Sequence, residues 1–68
     1  MALKLTVAEA RRMRGLTQKQ VAEQLGISFN TYRLKENGTT KFYVDEASKL
    51  SEILDIPYGD LLFDSNGA

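Results

Sequence analysis

Thr17-Gln18-Lys19-Gln20-Val21-Ala22-Glu23-Gln24-Leu25-Gly26-Ile27-Ser28 is the stretch that decides how this chain folds. Thr17 and Gln20 have the spacing of a capping box, in which the hydroxyl accepts from an orphan first-turn amide and the longer side chain reaches back to the amide of the cap residue. Val21, Ala22 and Leu25 then fall on one apolar helical stripe. Gly26 stops that helix, and after only Ile27 a new N-cap, Ser28, starts another that continues to about Asn37, before Gly38. Two helices joined by so short a glycine-containing turn must cross steeply.

The same punctuation extends in both directions. Upstream, Thr6 and Glu9 form a second capping box and predict a first helix from about Val7 to Arg14, ended by Gly15. Val7, Ala10 and either Met13 or the stem of Arg14 face inward, while Arg11, Arg12 and Arg14 stand where the negative end of the macrodipole favours cations. Downstream, Thr39 to Tyr43 reads as a loop. Asp45 caps or opens a fourth helix with Ala47, Leu50, Ile53 and Leu54 spaced for burial, and Pro57 marks its end. A last short helix around Tyr58 to Phe63 presents Leu61, Leu62 and Phe63. No stretch combines strand alternation with hairpin turn chemistry, so the expected fold is all-α, a compact five-helix domain over residues 1–63 with a flexible tail at 64–68.

With 68 residues there is room for a single domain, and one this small buries only about 60% of its unfolded surface. The chain has no cysteine and no histidine, which removes disulfides, thiolate metal sites and the commonest general base. It also lacks a glycine-rich phosphate loop and an evident convergent pair of carboxylates, so an enzyme is the poorest of the function classes. Nothing calls for a metal, a cofactor or a small-molecule substrate. Met1-Ala2-Leu3-Lys4-Leu5 is no signal peptide and no apolar run could span a membrane, so a cytoplasmic setting is expected. The formal net charge is zero, yet its distribution is lopsided. Up to residue 44, Lys4, Arg11, Arg12, Arg14, Lys19, Arg33, Lys35 and Lys41 outnumber Glu9, Glu23 and Glu36; beyond it, Lys49 stands alone against Asp45, Glu46, Glu52, Asp55, Asp60 and Asp64. One basic, nucleic-acid-facing end follows from such asymmetry.

Gly15-Leu16-Thr17-Gln18, Val21-Ala22, Leu25-Gly26-Ile27-Ser28, Glu36-Asn37-Gly38 and Ile56-Pro57-Tyr58-Gly59-Asp60-Leu61-Leu62 lie in the register of the phage repressor and Cro family of helix-turn-helix proteins. The chain resembles that family from about Val7 to Phe63, and Thr31-Tyr32, Lys35-Glu36, Gly38 and Phe42 resemble a subgroup of small regulators from phages and mobile elements. The resemblance implies that the second helix lies across the major groove of duplex DNA and the third enters it. It places Phe29, Asn30, Thr31, Arg33 and Leu34 at the bases. Asn30 suits adenine, Arg33 suits guanine or a phosphate, and Phe29 or Leu34 suits a thymine methyl. Gln18, Lys19, Asn37, Thr39, Thr40 and Lys41 fall where the family contacts the DNA backbone. Arg11 and Glu36 match a structural ion pair.

Two residues depart from the family pattern. Lys35 replaces an aliphatic core residue, so its stem is expected to be buried with the ammonium snorkelling outward while Tyr32 fills the space. Phe29 is apolar where base readers are polar and could contact protein instead. Phe42 and Tyr43 are expected to close the core rather than stack on bases. The arginine cluster reads chiefly as a solvated helix end with one phosphate contact. Ile56, Tyr58, Leu62 and Phe63 are expected at a homodimer contact. The expected function is a transcriptional regulator, a repressor, bound as a dimer to a pseudo-palindromic operator. The competing reading is a protein-interaction module on the same scaffold, a repressor modulator or an antitoxin.

Overall fold

The two capping boxes form and set the starts of the first two helices. In the computed structural model, which describes residues 4–63, Thr6 Oγ1 accepts from Glu9 N at 3.1 Å and Glu9 Oε1 accepts from Thr6 N at 2.9 Å. Helix α1, Val7–Met13, follows. Thr17 and Gln20 make the equivalent pair at 3.1 and 2.8 Å ahead of α2, Gln18–Leu25. Ser28 Oγ accepts from Thr31 N at 3.1 Å to open α3, Phe29–Glu36. The fourth helix, α4, is Val44–Leu54.

Gly26 makes the sharp turn between α2 and α3 possible. It adopts φ +78°, and its amide and that of Ile27 both donate to Ala22 O, at 2.9 and 3.1 Å. A Cβ there would meet no atom within 4 Å, so the demand for glycine is conformational, not steric. Gly26→Ala is therefore expected to cost about 1–2 kcal/mol, the penalty of a side chain in the left-handed region. A lower urea midpoint with an unchanged slope would record it; an unaltered midpoint would contradict it.

The core joins all four helices. Val21, Tyr32, Leu50 and Leu54 have fully buried side chains, with Val7, Ala10, Ala22, Leu25, Ile56 and Leu61 around them. Phe42 closes one side, its ring centroid 6.1 Å from that of Tyr32 and 5.9 Å from that of Phe63. Tyr43, expected beside it in the core, is instead 68% exposed, because the chain turns there to start α4. Met13 also points outward and is not an inward residue of α1.

The second half departs further from the sequence-based expectation. Tyr43, not Asp45, is the N-cap residue of α4; Asp45 and Glu46 lie in its first turn. Asp55, at φ +55°, ends that helix two residues before Pro57. Aspartate tolerates this conformation better than most side chains. No fifth α-helix forms among the described residues. Tyr58–Asp60 make one 3₁₀ turn, and Leu61–Leu62 (β2) pair in parallel with Leu5–Thr6 (β1) in the register Leu5 to Leu61 and Thr6 to Leu62. The all-α, five-helix expectation is thus corrected to a mostly helical domain with a two-stranded parallel sheet. The cause is local. Gly59 weakens any helix through it, whereas strand pairing buries Leu61 and gives the backbone of Leu5 and Thr6 partners. The tail expected at 64–68 lies outside the described residues. No helix among the described residues is long and apolar enough to cross a membrane.

Candidate nucleic-acid interface

Glu36, at the end of α3, orients that helix. Its carboxylate accepts from Arg11 Nε at 2.9 Å and Arg11 Nη2 at 3.1 Å, a two-pronged pairing with α1. Gln18 Nε2 of α2 donates to Glu36 Oε1 at 2.9 Å, and the buried Tyr32 hydroxyl donates to Glu36 Oε2. Arg11 Nη1 also donates to Leu16 O at 2.7 Å, tying in the turn before α2. The Glu36 side chain is only 5% exposed. Burial pushes its carboxyl pKa up, but the donors Arg11, Tyr32 and Gln18 outweigh that and hold it below the ordinary range. The Tyr32 hydroxyl is pushed well up, by burial first and then by the adjacent carboxylate, so it remains a donor. Gln18, which by resemblance both touches a DNA phosphate and braces the third helix, has its amide on Glu36 of α3 and is half-buried.

The opposite side of α3 is open. Phe29, Asn30, Thr31 and Arg33 are exposed and Leu34 is half-buried. Phe29 is 48% exposed, so it does not serve the core. Thr31 Oγ1 accepts from Ser28 Oγ at 2.8 Å, and Arg33 Nη2 donates to Asn30 Oδ1 at 2.7 Å. The guanidinium and the carboxamide therefore face the solvent as a linked pair. Behind α3, Asn37 Oδ1 accepts from Thr39 N at 2.9 Å, and the amides of Thr39 and Thr40 both reach Leu34 O, at 2.9 and 3.2 Å. This tight loop presents Thr39, Thr40 and Lys41, all exposed; Lys19 is exposed at the start of α2.

Beyond the Arg11–Glu36 pair that the resemblance implied, the cations divide in a way their positions in the chain do not reveal. Arg11 is consumed by Glu36. Arg14 Nε donates to Leu54 O at 2.6 Å and Nη2 to Asp55 O at 2.9 Å, covering the C-terminal carbonyls of α4. Lys35 does not snorkel: it is 6% exposed, and its Nζ donates to Lys41 O at 2.9 Å and pairs with Glu46 at 2.9 Å. A buried ammonium this close to a carboxylate and a carbonyl is satisfied in place, which removes the reason to reach for water. Its place at an expected core position was the one sequence signal for this site, since a buried cation demands a partner. Lys4, Arg12, Lys19, Arg33, Lys41 and Lys49 are left exposed. Arg14→Met is expected to lower stability by about 1–2 kcal/mol through loss of these carbonyl bonds. That is roughly 4–16 °C in Tm for a domain of this size, and an unmoved Tm would show the cap to be idle.

Of the residues expected at a dimer contact, Ile56 lies in the core and Phe63 is half-buried, leaving Tyr58 and Leu62 exposed. The rings of Tyr58 and Phe63 pack in a tilted pair with centroids 5.1 Å apart.

The helix-turn-helix family matches residues 7–61. The chain is similar to the cryptic phage CTXphi transcriptional repressor RstR of Vibrio cholerae, at 32% identity over 59 residues, which is 87% of this chain and 53% of that relative. It therefore spans about half the length of the curated relative it matches. No solved structure matches it.

Proposed function

The chain belongs to the helix-turn-helix family, and we propose that it is a sequence-specific regulator of transcription, a repressor, that inserts α3 into the major groove of duplex DNA. One observation carries this reading. The Glu36 cluster fixes the inner side of α3 to α1 and α2, while Asn30, Thr31 and Arg33 remain exposed on a side of the helix that no other element covers among the described residues. A rigidly held row of hydrogen-bonding side chains is what base readout requires.

In this reading Phe29, Asn30, Thr31, Arg33 and Leu34 meet base edges. Lys19, Thr39, Thr40 and Lys41, with Gln18 and Asn37, position the protein on phosphates. A homodimer joined through Tyr58 and Leu62, with Phe63 beneath, would set two copies of α3 about one helical turn apart on a pseudo-palindromic operator. The similarity to a phage repressor supports repression by occupancy of such a site.

A second reading, a protein-interaction module, is favoured by exposed Phe29, Tyr58 and Leu62 and by the internal use of Arg11, Arg14 and Lys35. Selection of bound duplexes from a random library at two salt concentrations separates the two. An enriched motif with inverted symmetry, bound less tightly as salt rises, is the expected result. Absence of a motif, with binding lost at moderate salt, would transfer the assignment to the protein-interaction module.

A further inference from the structure

We propose that Lys35 is a positioning residue for the DNA-backbone contact, holding the 39–43 loop in the shape in which it meets phosphate. The inference rests on the reading of Thr39, Thr40 and Lys41 as backbone contacts and assigns their alignment to a residue that never touches DNA.

The geometry is a three-way joint. Lys35 leaves α3 and donates its Nζ to Lys41 O at 2.9 Å, inside the loop. The same Nζ pairs with Glu46 Oε1 of α4 at 2.9 Å, and that oxygen also accepts from Tyr43 N at 2.8 Å. The Tyr43 ring covers the ammonium, its centroid 4.2 Å from Nζ. One buried cation thus links the end of α3, the loop and the first turn of α4, and the Lys41 carbonyl is held turned inward. The near end of the loop is fixed separately, by Leu34 O and Asn37 Oδ1. Lys35 supplies the corresponding hold at the far end. An apolar side chain of the same length could fill the space but could not hold that carbonyl, which is why the charge is tolerated here.

The test compares the full chain with Lys35→Met and with Lys35→Met/Glu46→Gln. The double variant leaves no unpaired buried carboxylate and keeps an acceptor for Tyr43 N, so it remains informative if the single variant fails to fold. The measurement is the slope of log affinity against log salt on the selected duplex, with amide exchange of residues 39–43 read in parallel. Global destabilisation alone changes the folded fraction, not the number of phosphates neutralised. The expected result is a slope shallower by about 0.9 per bound chain, corresponding to the one phosphate neutralised by Lys41, the single cation of the loop, with faster exchange in the loop and an unchanged preference for the selected sequence. An unchanged slope in either folded variant overturns the inference, whatever the loop exchange does. A wild-type chain with no DNA affinity overturns the functional reading itself, a distinct failure.

Discussion

Glu36→Ala is expected to bring this domain to the edge of unfolding, with Tm lowered by at least about 12 °C. The substitution leaves the Arg11 guanidinium, the Gln18 amide and the Tyr32 hydroxyl without the acceptor they share. Removing one partner of a buried ion pair costs about 3–5 kcal/mol, and each kcal/mol moves Tm by roughly 4–8 °C in a domain of this size. Total stability at about 0.05–0.15 kcal/mol per residue is only about 3–10 kcal/mol here, so a large fraction is at stake. Tyr32→Phe removes one donor and keeps the carboxylate paired with Arg11; it is expected to cost about 1 kcal/mol. Equal losses for the two variants would show that the Arg11 pairing contributes nothing.

The same carboxylate makes stability depend on pH in a defined direction. The folded protein holds Glu36 below its ordinary value of 4.5 despite the upward push of burial, so protonation favours the unfolded chain. Its contribution is fully present above about 4.5 and is lost as pH falls through the lower folded value. Glu9, lowered first by the Thr6 amide and then by the Thr6 hydroxyl, adds a component of the same sign at an exposed site. Wild-type Tm is thus expected to fall below about pH 4.5, and Glu36→Gln to flatten part of that fall. An identical acid dependence in the variant would remove Glu36 from the account.

Asn30→Ala is expected to weaken binding to the selected operator by roughly 5- to 150-fold, equivalent to about 1–3 kcal/mol for a bidentate base contact, while binding to random duplex changes little. The two affinities converge because a carboxamide at a base edge discriminates sequence and neutralises no phosphate. Arg33 is linked to Asn30 in the free protein at 2.7 Å, so the double variant should lose less than the two single losses combined. Arg33→Ala also separates two roles. Loss of specificity with an unchanged salt slope places the guanidinium on a base; equal loss on both duplexes, with a slope shallower by about 1, places it on a phosphate. A specificity ratio unchanged by Asn30→Ala would remove that residue from base readout.

Features governed by neighbours within a few positions could be read directly from the chain. The boxes at Thr6/Glu9 and Thr17/Gln20, the Ser28 cap and the left-handed Gly26 all act over four residues or fewer, and the short turn between α2 and α3 follows from them. The row Asn30, Thr31 and Arg33 was instead legible through its place in the helix-turn-helix frame that the resemblance supplies, and all three side chains are exposed. The Arg11–Glu36 pair, 25 residues apart, was expected only through the resemblance, and the fates of two other long cations were not legible. Arg14 finds the end of α4 40 residues away, and Lys35 turns inward because Glu46 and Lys41 O converge on it. Nothing local distinguishes Arg14 from the exposed Arg12, or points Lys35 to Glu46. The segment after Pro57 was equally undetermined, because its apolar residues suit a helix or a strand and pairing with Leu5–Thr6 decided the outcome. Local hydrogen bonding settles where helices begin and which side chains share a face. Tertiary structure alone settles which charges remain free for a partner, because a flexible cationic side chain goes to whichever acceptor the packed chain brings within reach.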